Sequence, residues 1–397
     1  MKIGVYYIAS TTAAAAIARE TDLPWIKKLS DMSGLQIEFT DKEHINDYDL
    51  ILDFIGTGGS ENYFLKDIDF LPKPVFLLTT GTNNSLAASM EIVCYLRQHD
   101  IPGEIIHGSD EYVVRRISQL AKVFAASKRL HDFKIARVGE PSEWLIASGV
   151  DADESKALNG IEIIDVTMEE FEAEIGKNSY EENDYTKSIK AKNFDSAEIE
   201  KALCIYGALK RICNKYQLDG VTVRCFDLLT SVKSTSCAAL AILNAEGIYA
   251  ACEGDVPALL SMAVIGELSG KPVFQANPSQ IFTDTNEIIF AHCTLPLNMV
   301  KDFEIMTHFE SQIGVAFRGK LAEGPITVFK TDGLIQEYFV SGGILEENLT
   351  KYNLCRTQVK LKLDNPVSYF LQESIGNHHI IVEGDYVDLV NEFYRWY

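Results

Sequence analysis

The chain has 397 residues, 47% of them apolar and 23% charged, and a formal net charge of −21 at pH 7. This length predicts more than one domain, and the composition is typical of a globular protein. The negative charge argues against nucleic acid or an anionic membrane as a partner, because both would be repelled. No apolar run approaches the roughly 20 residues that cross a bilayer, and Met1–Ile8 lacks the pattern of a signal peptide.

The eight cysteines lie mostly in apolar segments and form no Cys-x-x-Cys pair. This spacing argues against a zinc knuckle or a thioredoxin-type site. We interpret them as reduced, buried thiols, and we expect the protein to be cytoplasmic.

Strand-like runs alternate with helical patterns in the first third of the chain. The strand candidates are Lys2–Ile8, Leu35–Phe39, Tyr48–Phe54 and Pro74–Leu78. Such a βαβα order predicts a Rossmann-like, doubly wound parallel sheet. The loops Gly56–Ser60 and Thr79–Ser85 follow strands but carry neither a dinucleotide nor a P-loop pattern, although the second could bond a hydroxylated ligand. We place the end of this domain near residue 131.

A second α/β pattern follows. Strands are predicted at Lys134–Val138, Gly220–Phe226 and Ile248–Cys252, and helices at Ala197–Tyr216 and Ser236–Leu243. The acidic stretch 168–195 is interpreted as a solvated helix and loop rather than a cation site. The second domain is therefore also predicted to be Rossmann-like.

Beyond about residue 300 the pattern changes to short strand candidates between Gly, Asn and Asp turns. They are Pro325–Lys330, Leu334–Val340, Thr357–Lys362, Val367–Leu371 and His379–Val382, with a final helix at Val387–Trp396. This order predicts a β-rich, barrel-like C-terminal domain.

Polar residues follow three successive apolar runs between residues 248 and 293. Asp255 precedes a helical pattern with Pro257 in its first turn, so we interpret it as a helix N-cap. Glu253 lies at the end of a predicted parallel strand, where such sheets bind ligands. The alternation of a strand would turn Cys252 and Cys293 away from Glu253 and His292, so both thiols are interpreted as core.

Asn277 and His292 follow the next two apolar runs, Lys271–Gln275 and Glu287–Phe290. A right-handed crossover would place the strand ends of Glu253 and Asn277 side by side in a continuous sheet. Further candidates lie downstream: His308, Glu310, His378 and His379. Carboxylates and imidazoles together are metal ligands and acid–base groups.

The motifs around these residues resemble the L-fucose and L-arabinose isomerase superfamily, and most closely its short, fucose isomerase-like branch. The resemblance rests on Val223–Asp227, Cys252–Asp255, Ala276–Ser279, Ala291–Thr294, His308–Glu310 and Gly376–His379. It is convincing from about residue 220 onward. It implies two Rossmann-like domains, residues 1–131 and 132–270, followed by a β-rich domain, residues 271–397. A domain boundary near Gly270 conflicts with a continuous sheet across that point. We adopt the boundary.

The resemblance also implies a cofactor and a reaction. Members of the family hold a divalent metal, usually Mn²⁺, and move a proton between C1 and C2 of an open-chain aldose through an enediol. Glu253 would be a metal ligand and a catalytic acid or base, and His292 a second ligand. His378 or His379 would be the C-terminal ligand, and the doublet leaves the choice open. A homo-oligomer is expected from the resemblance alone.

Asn277 departs from the family pattern. It stands at or beside the position of a second carboxylate, and an amide can ligate through its oxygen but cannot act as a general base near neutral pH. Asp284, Glu287 or Glu310 could replace the missing acid. We therefore place Asn277, His308 and Glu310 as substrate-binding or supporting residues.

The leading hypothesis is a metal-dependent aldose–ketose isomerase acting on a small-molecule sugar, a pentose or a 6-deoxyhexose. A metal-dependent epimerase or lyase acting on a sugar-like substrate is the first alternative, since one proton-moving group suffices for it. A non-catalytic sugar-binding protein is the alternative of another class.

Overall fold

The computed structural model describes residues 1–11 and 13–397, and for residues 13–19 and 21 it describes the backbone alone. The chain forms two compact units. The first comprises Met1–Ser127 with Glu392–Tyr397, and the second comprises Lys128–Asn391. Within the described residues, no helix combines the length and the apolar character needed to cross a membrane.

The first unit is built on a parallel sheet. Its strands are β1 (Lys2–Ile8), β2 (Gln36–Thr40), β3 (Leu50–Ile55), β4 (Val75–Leu78) and β5 (Gly103–Ile106), and its helices are α1 (Ala13–Ser33), α2 (Glu61–Asp67), α3 (Ser85–Gln98) and α4 (Asp110–His131), which runs on into the second unit. The strand order is β2-β1-β3-β4-β5. Alternate residues of β3 enter two different apolar clusters, Leu52 and Phe54 in one and Ile51 and Ile55 in the other. Helices therefore cover both faces, which explains why β3 is a continuous buried run.

The second unit begins with another parallel sheet, of order β7-β6-β8-β9. Its strands are β6 (Lys134–Val138), β7 (Glu162–Val166), β8 (Gly220–Val223) and β9 (Tyr249–Cys252). The helices around it are α5 (Ala152–Asn159), α6 (Met168–Ile175), α7 (Asp184–Lys190), α8 (Ser196–Tyr216), α9 (Leu228–Ser231), α10 (Cys237–Ala245) and α11 (Val256–Ser269). The two parallel sheets confirm the predicted α/β architecture of this part of the chain.

The remaining strands build a closed antiparallel barrel of order β10-β11-β16-β15-β14-β17. The elements are β10 (Phe274–Phe282), β11 (Glu287–His292), β12 (Phe303–Met306), β13 (Ala316–Gly319), β14 (Gly324–Thr331), β15 (Tyr338–Asn348), β16 (Thr357–Leu363), α12 (Tyr369–Gln372), β17 (His379–Glu383) and α13 (Val387–Trp396). Strands β12 and β13 pair with each other outside the barrel. The predicted barrel is confirmed, but the strand expected at Val367–Leu371 is wrong, because the short helix α12 lies there.

Helix α11 lies between the sheet and the barrel. It contacts β8 and β9 on one side and β14 and β17 on the other. Every residue of Val256–Gly266 is buried, and a helix that is apolar all round requires such a position. The helix start at Asp255 therefore lies where the sheet and the barrel meet.

The expectation of a continuous sheet through β10 is wrong. The parallel sheet ends at β9, and β10 pairs with β11 and β17 in the barrel. A side chain of β10 still contacts the end of β9, because the Cys252 N–H donates to Oε1 of Gln275 at 2.8 Å. The end of β9 thus meets the barrel without extending its ladder.

Candidate metal centre

Three of the predicted ligands lie together. Glu253, His292 and His378 each offer one ligand atom, and these atoms lie within 4.8 Å of one another. The side chains come from the turn after β9, the end of β11 and the residue before β17. All three residues are buried, His378 completely. Two strands of the barrel and one strand end of the sheet therefore converge on one point.

The turn after β9 sets the position of Glu253. Glu253 and Gly254 both have left-handed φ angles, 68° and 73°. The Asp255 N–H donates to the Cys252 carbonyl at 3.3 Å, which closes the turn. A Cβ on Gly254 would lie 2.7 Å from the Glu140 carbonyl oxygen, so only glycine fits there. A non-glycine residue in this conformation costs free energy, and such residues cluster at functional sites.

His378 lies between two carboxylates. Its Nδ1 donates to Oδ2 of Asp255 at 2.8 Å, and its Nε2 is 3.6 Å from Oε1 of Glu253. Burial by itself would lower the pKa of His378, but the two carboxylates outweigh it and raise the pKa to about 9. Among the described residues, the buried Nε2 has no hydrogen-bond partner. Near pH 7 an ion would bind at Nε2 by displacing the proton that the raised pKa keeps there.

The two carboxylate oxygens of Asp255 have different partners. Its Oδ1 accepts the Ala258 N–H at 2.8 Å, which confirms the predicted N-cap of α11. Its Oδ2 holds His378, a contact that the sequence analysis missed. A carboxylate on the far nitrogen of a ligating imidazole orients the ring and raises its basicity.

The other two side chains are in the protonation states that ligands need. Burial, followed by the nearby charge of His378, lowers the pKa of His292 to about 4, so it is neutral near pH 7. Its Nδ1 is 2.8 Å from Oγ1 of Thr294, which leaves Nε2 for an ion. Burial would raise the pKa of Glu253, but His378 and Trp144 lower it to about 2. Glu253 is therefore a carboxylate.

A small cavity is lined by Glu253 and His292. All three residues predicted as substrate-binding or supporting line it: Asn277, His308 and Glu310. The buried Oδ1 of Asn277 has no hydrogen-bond partner in the described part of the chain. Carboxylate, imidazole and amide oxygen together fit a divalent ion such as Mn²⁺ or Zn²⁺.

The structure separates the two histidines of the doublet. His379 points away from the cluster, because consecutive residues of a strand face opposite sides. Its Nε2 is 3.1 Å from the Tyr369 hydroxyl and its Nδ1 is 3.0 Å from the Asn377 carbonyl oxygen. Of the two, His378 is the one placed to bind an ion.

The structure also separates the acids that could replace the missing carboxylate. Glu287 pairs with Lys360 at 2.8 Å, on the adjacent strand β16. Asp284 lies in the exposed turn between β10 and β11. Glu310 alone among the three lines the cavity.

The cysteines are closer to the site than expected. Cys252 and Cys293 are buried free thiols, but both line the cavity, together with Cys225, Cys237 and Cys355. Both belong to apolar clusters of buried residues, which confirms the interpretation of the two thiols as core. They line the cavity as well, because the left-handed φ of Glu253 ends the strand alternation at Cys252, and β11 ends before Cys293.

Trp144 is a further residue that the sequence analysis missed. Its indole N–H donates to Oε2 of Glu253 at 2.6 Å, and its ring meets that of Phe226 edge to face at 4.8 Å. Trp144 follows β6, and the rule that ligands bind at the carboxyl ends of parallel strands could have identified it.

No protein-family model matches the chain. The chain is similar to a protein of Priestia megaterium (strain ATCC 12872 / QMB1551) named sulfoquinovose isomerase. The two are 22% identical over an alignment of 420 positions, which covers 96% of this chain and 93% of the relative. A sulfoquinovose isomerase of Alkalicoccus urumqiensis is 23% identical over 332 residues, which cover 79% of this chain and 74% of that protein. A sulfoquinovose isomerase of Clostridium sp. (strain MSTE9) is 25% identical over 305 residues, which cover 70% of this chain and 66% of that protein. The similarity to sugar isomerases thus spans most of the chain.

Proposed function

We propose that the protein is a metal-dependent aldose–ketose isomerase that acts on a sugar through an enediol. The observation that carries the proposal is the buried convergence of Glu253, His292 and His378, with their ligand atoms within 4.8 Å of one another. The similarity to sulfoquinovose isomerases supports the isomerase class and a sugar substrate. When bound, a divalent ion supplies Lewis-acid polarisation of a carbonyl.

The residues at the site would have three roles: metal binding, proton transfer and apolar contact with the substrate. Glu253, His292 and His378 hold the ion, with Oδ1 of Asn277 as a further oxygen donor. Glu310 lines the same cavity and is the acid that would move a proton between C1 and C2 of the substrate. Trp144, Phe226 and Leu229 bring apolar surface to the site, and the latter two line the cavity.

Metal content is the direct test. We expect about one Mn²⁺-class ion per chain, measured by elemental analysis after dialysis. Glu253→Gln and His378→Gln should each lose the ion, while His379→Gln, which removes the neighbouring imidazole, should keep it. Retention of the ion by the first two variants would contradict the assignment.

Proton exchange tests the reaction. Incubation of candidate aldoses in D₂O should produce the ketose with deuterium at C1 and, through the reverse reaction, return aldose with deuterium at C2. The candidates are pentoses and 6-deoxyhexoses, and the sulfonated hexose named for the relatives belongs in the same panel. No exchange with any of them, while the sugars still bind, would favour a non-catalytic sugar-binding protein.

An epimerase or lyase is the second candidate, and one observation favours it. Asn277 lines the cavity, and the resemblance implies a carboxylate at or beside this position, so chemistry that needs only one proton-moving group fits equally well. Exchange at C2 with return of a stereoisomeric aldose would identify the epimerase. Shorter carbon products would identify the lyase.

A further inference from the structure

Trp144 combines exposure with a contact to a buried charge. The residue is 53% exposed, yet its indole N–H donates at 2.6 Å to Glu253, which is only 8% exposed. Single exposed aromatic residues are common and need no explanation. A short hydrogen bond from an exposed tryptophan to a buried carboxylate does need an explanation. The exposed ring gains little free energy from burial, so burial does not account for its position.

The loop that carries Trp144 is fixed to the turn of Glu253. The Ser142 N–H donates to the Glu253 carbonyl at 2.9 Å, and Nη1 of Arg224 donates to the Pro141 carbonyl at 3.0 Å. The next residue, Leu145, is buried and anchors the loop from the other side of Trp144. The position of the indole is therefore determined by backbone contacts to the same turn that orients Glu253.

The two carboxylate oxygens of Glu253 consequently have different surroundings. Oε2 accepts from Trp144, and Oε1 lies 3.6 Å from Nε2 of His378, which has no hydrogen-bond partner among the described residues. A carboxylate with both oxygens free can bind an ion through either or both. Occupation of one oxygen by a fixed donor leaves a single oxygen in a single direction.

We propose that Trp144 is a positioning residue that makes Glu253 a one-oxygen metal ligand, with Oε1 directed at the ion. The inference rests on the proposed function, since it requires that the cluster binds metal. Outer partners of metal ligands commonly set metal affinity by about 10–100-fold. The indole N–H acts here through Glu253 and not by touching the ion.

The test compares two tryptophans with the same chemistry. Trp144→Phe keeps an aromatic ring beside Phe226 but removes the N–H. Trp25→Phe is the matched control, because Trp25 also donates its indole N–H to a carboxylate, Oδ1 of Asp110 at 2.7 Å, in the first unit. We expect Trp144→Phe to weaken Mn²⁺ binding to the full-length apoprotein by about 10–100-fold, and Trp25→Phe to leave it unchanged.

A second readout separates positioning from support of the fold. Mn²⁺ quenches nearby tryptophan fluorescence, so saturable quenching with the same midpoint in wild-type and Trp25→Phe would place the ion beside Trp144. Replacement of Trp144 by benzothienylalanine, which keeps the ring shape and lacks the N–H, should weaken Mn²⁺ binding as Trp144→Phe does. This analogue keeps the test decisive if the Phe variant unfolds.

The outcomes distinguish the two proposals. Wild-type binding of Mn²⁺ with equal affinity in Trp144→Phe or the analogue overturns the role of Trp144 alone. A wild-type chain that binds no Mn²⁺ overturns the proposed function and the role of Trp144 with it.

Discussion

The carboxylate of Asp255 takes part in two features of the molecule, the start of a helix and the candidate metal centre. One oxygen caps α11 and the other holds His378. The cap could be predicted from the local pattern, since Asp followed by Pro in the first turn is a helix start. The contact to His378 could not, because 123 residues separate the partners and only the docking of the barrel brings them together.

Asp255→Asn separates these two functions. The amide oxygen can still accept the Ala258 N–H, so we expect the N-cap of α11 to be kept. The loss of the negative charge removes the partner that orients His378, and Mn²⁺ affinity should fall by about 10–100-fold. Titration calorimetry measures the affinity, and denaturation in urea measures the stability. Asp255→Ala should in addition lose about 1 kcal/mol of stability through the cap; equal Mn²⁺ affinity in Asp255→Asn and wild type would contradict the role.

Glu310 is predicted to act on turnover and not on the ion. It lines the cavity but is not one of the three clustered ligands. Glu310→Gln should therefore keep the bound metal and lower kcat by about 10²–10⁴-fold, the usual contribution of a general acid or base. Steady-state kinetics with elemental analysis of the same sample measures both. Full activity in this variant would show that another group moves the proton.

At the scale of elements, β3 carries an unusual residue. Asp53 is buried in the middle of this parallel strand, and its Oδ1 has no hydrogen-bond partner in the described residues. Burial raises the pKa of Asp53 to about 8, although the charge of Lys73 partly opposes the shift. The folded chain thus keeps a proton at neutral pH that the unfolded chain releases above pH ~4.

The sign of the pH dependence follows from this proton. Between pH ~4 and about 8 the native state binds more protons at Asp53 than the unfolded state, so its contribution makes stability fall as pH rises. Asp53→Asn should remove this slope and stabilise the first unit by about 1–3 kcal/mol at pH 8. Urea denaturation at pH 5 and pH 8 measures the effect. Asp31→Asn on the exposed face of α1 is the control and should retain the slope.

The elements themselves were largely predictable, with instructive exceptions. Helix α13 begins and ends at the predicted residues, because its apolar positions recur with helical spacing. The run at residues 367–371 is too short for periodicity to separate strand from helix, and α12 forms there so that Tyr369 and Phe370 pack on Phe339. The alternation that was expected to turn Cys252 away failed at one left-handed residue, Glu253, which no pattern in the sequence indicates.

At the scale of the molecule, all of the proposed ligands belong to the second unit. An ion that binds only the folded state stabilises it by about 2.7 kcal/mol when present at 100 times its Kd. Mn²⁺ should therefore raise the thermal transition of the second unit, and chelation should reverse the shift. Trp144 reports on this unit, whereas Trp25 and Trp396 lie in the first, so single-tryptophan variants resolve the two transitions. An equal shift in both units would contradict a site confined to the second.

The distance along the chain between Asp255 and His378 has a consequence for synthesis. At about 5–20 residues per second, the imidazole leaves the ribosome on the order of ten seconds after the two carboxylates that will enclose it. During that interval Glu253 and Asp255 are a pair of acids without their cationic partner, and strand β17, which closes the barrel, does not yet exist. The proposed ligand set is therefore complete only after His378 has been synthesised, so we expect metal uptake to follow formation of β17 and to mark completion of the second unit.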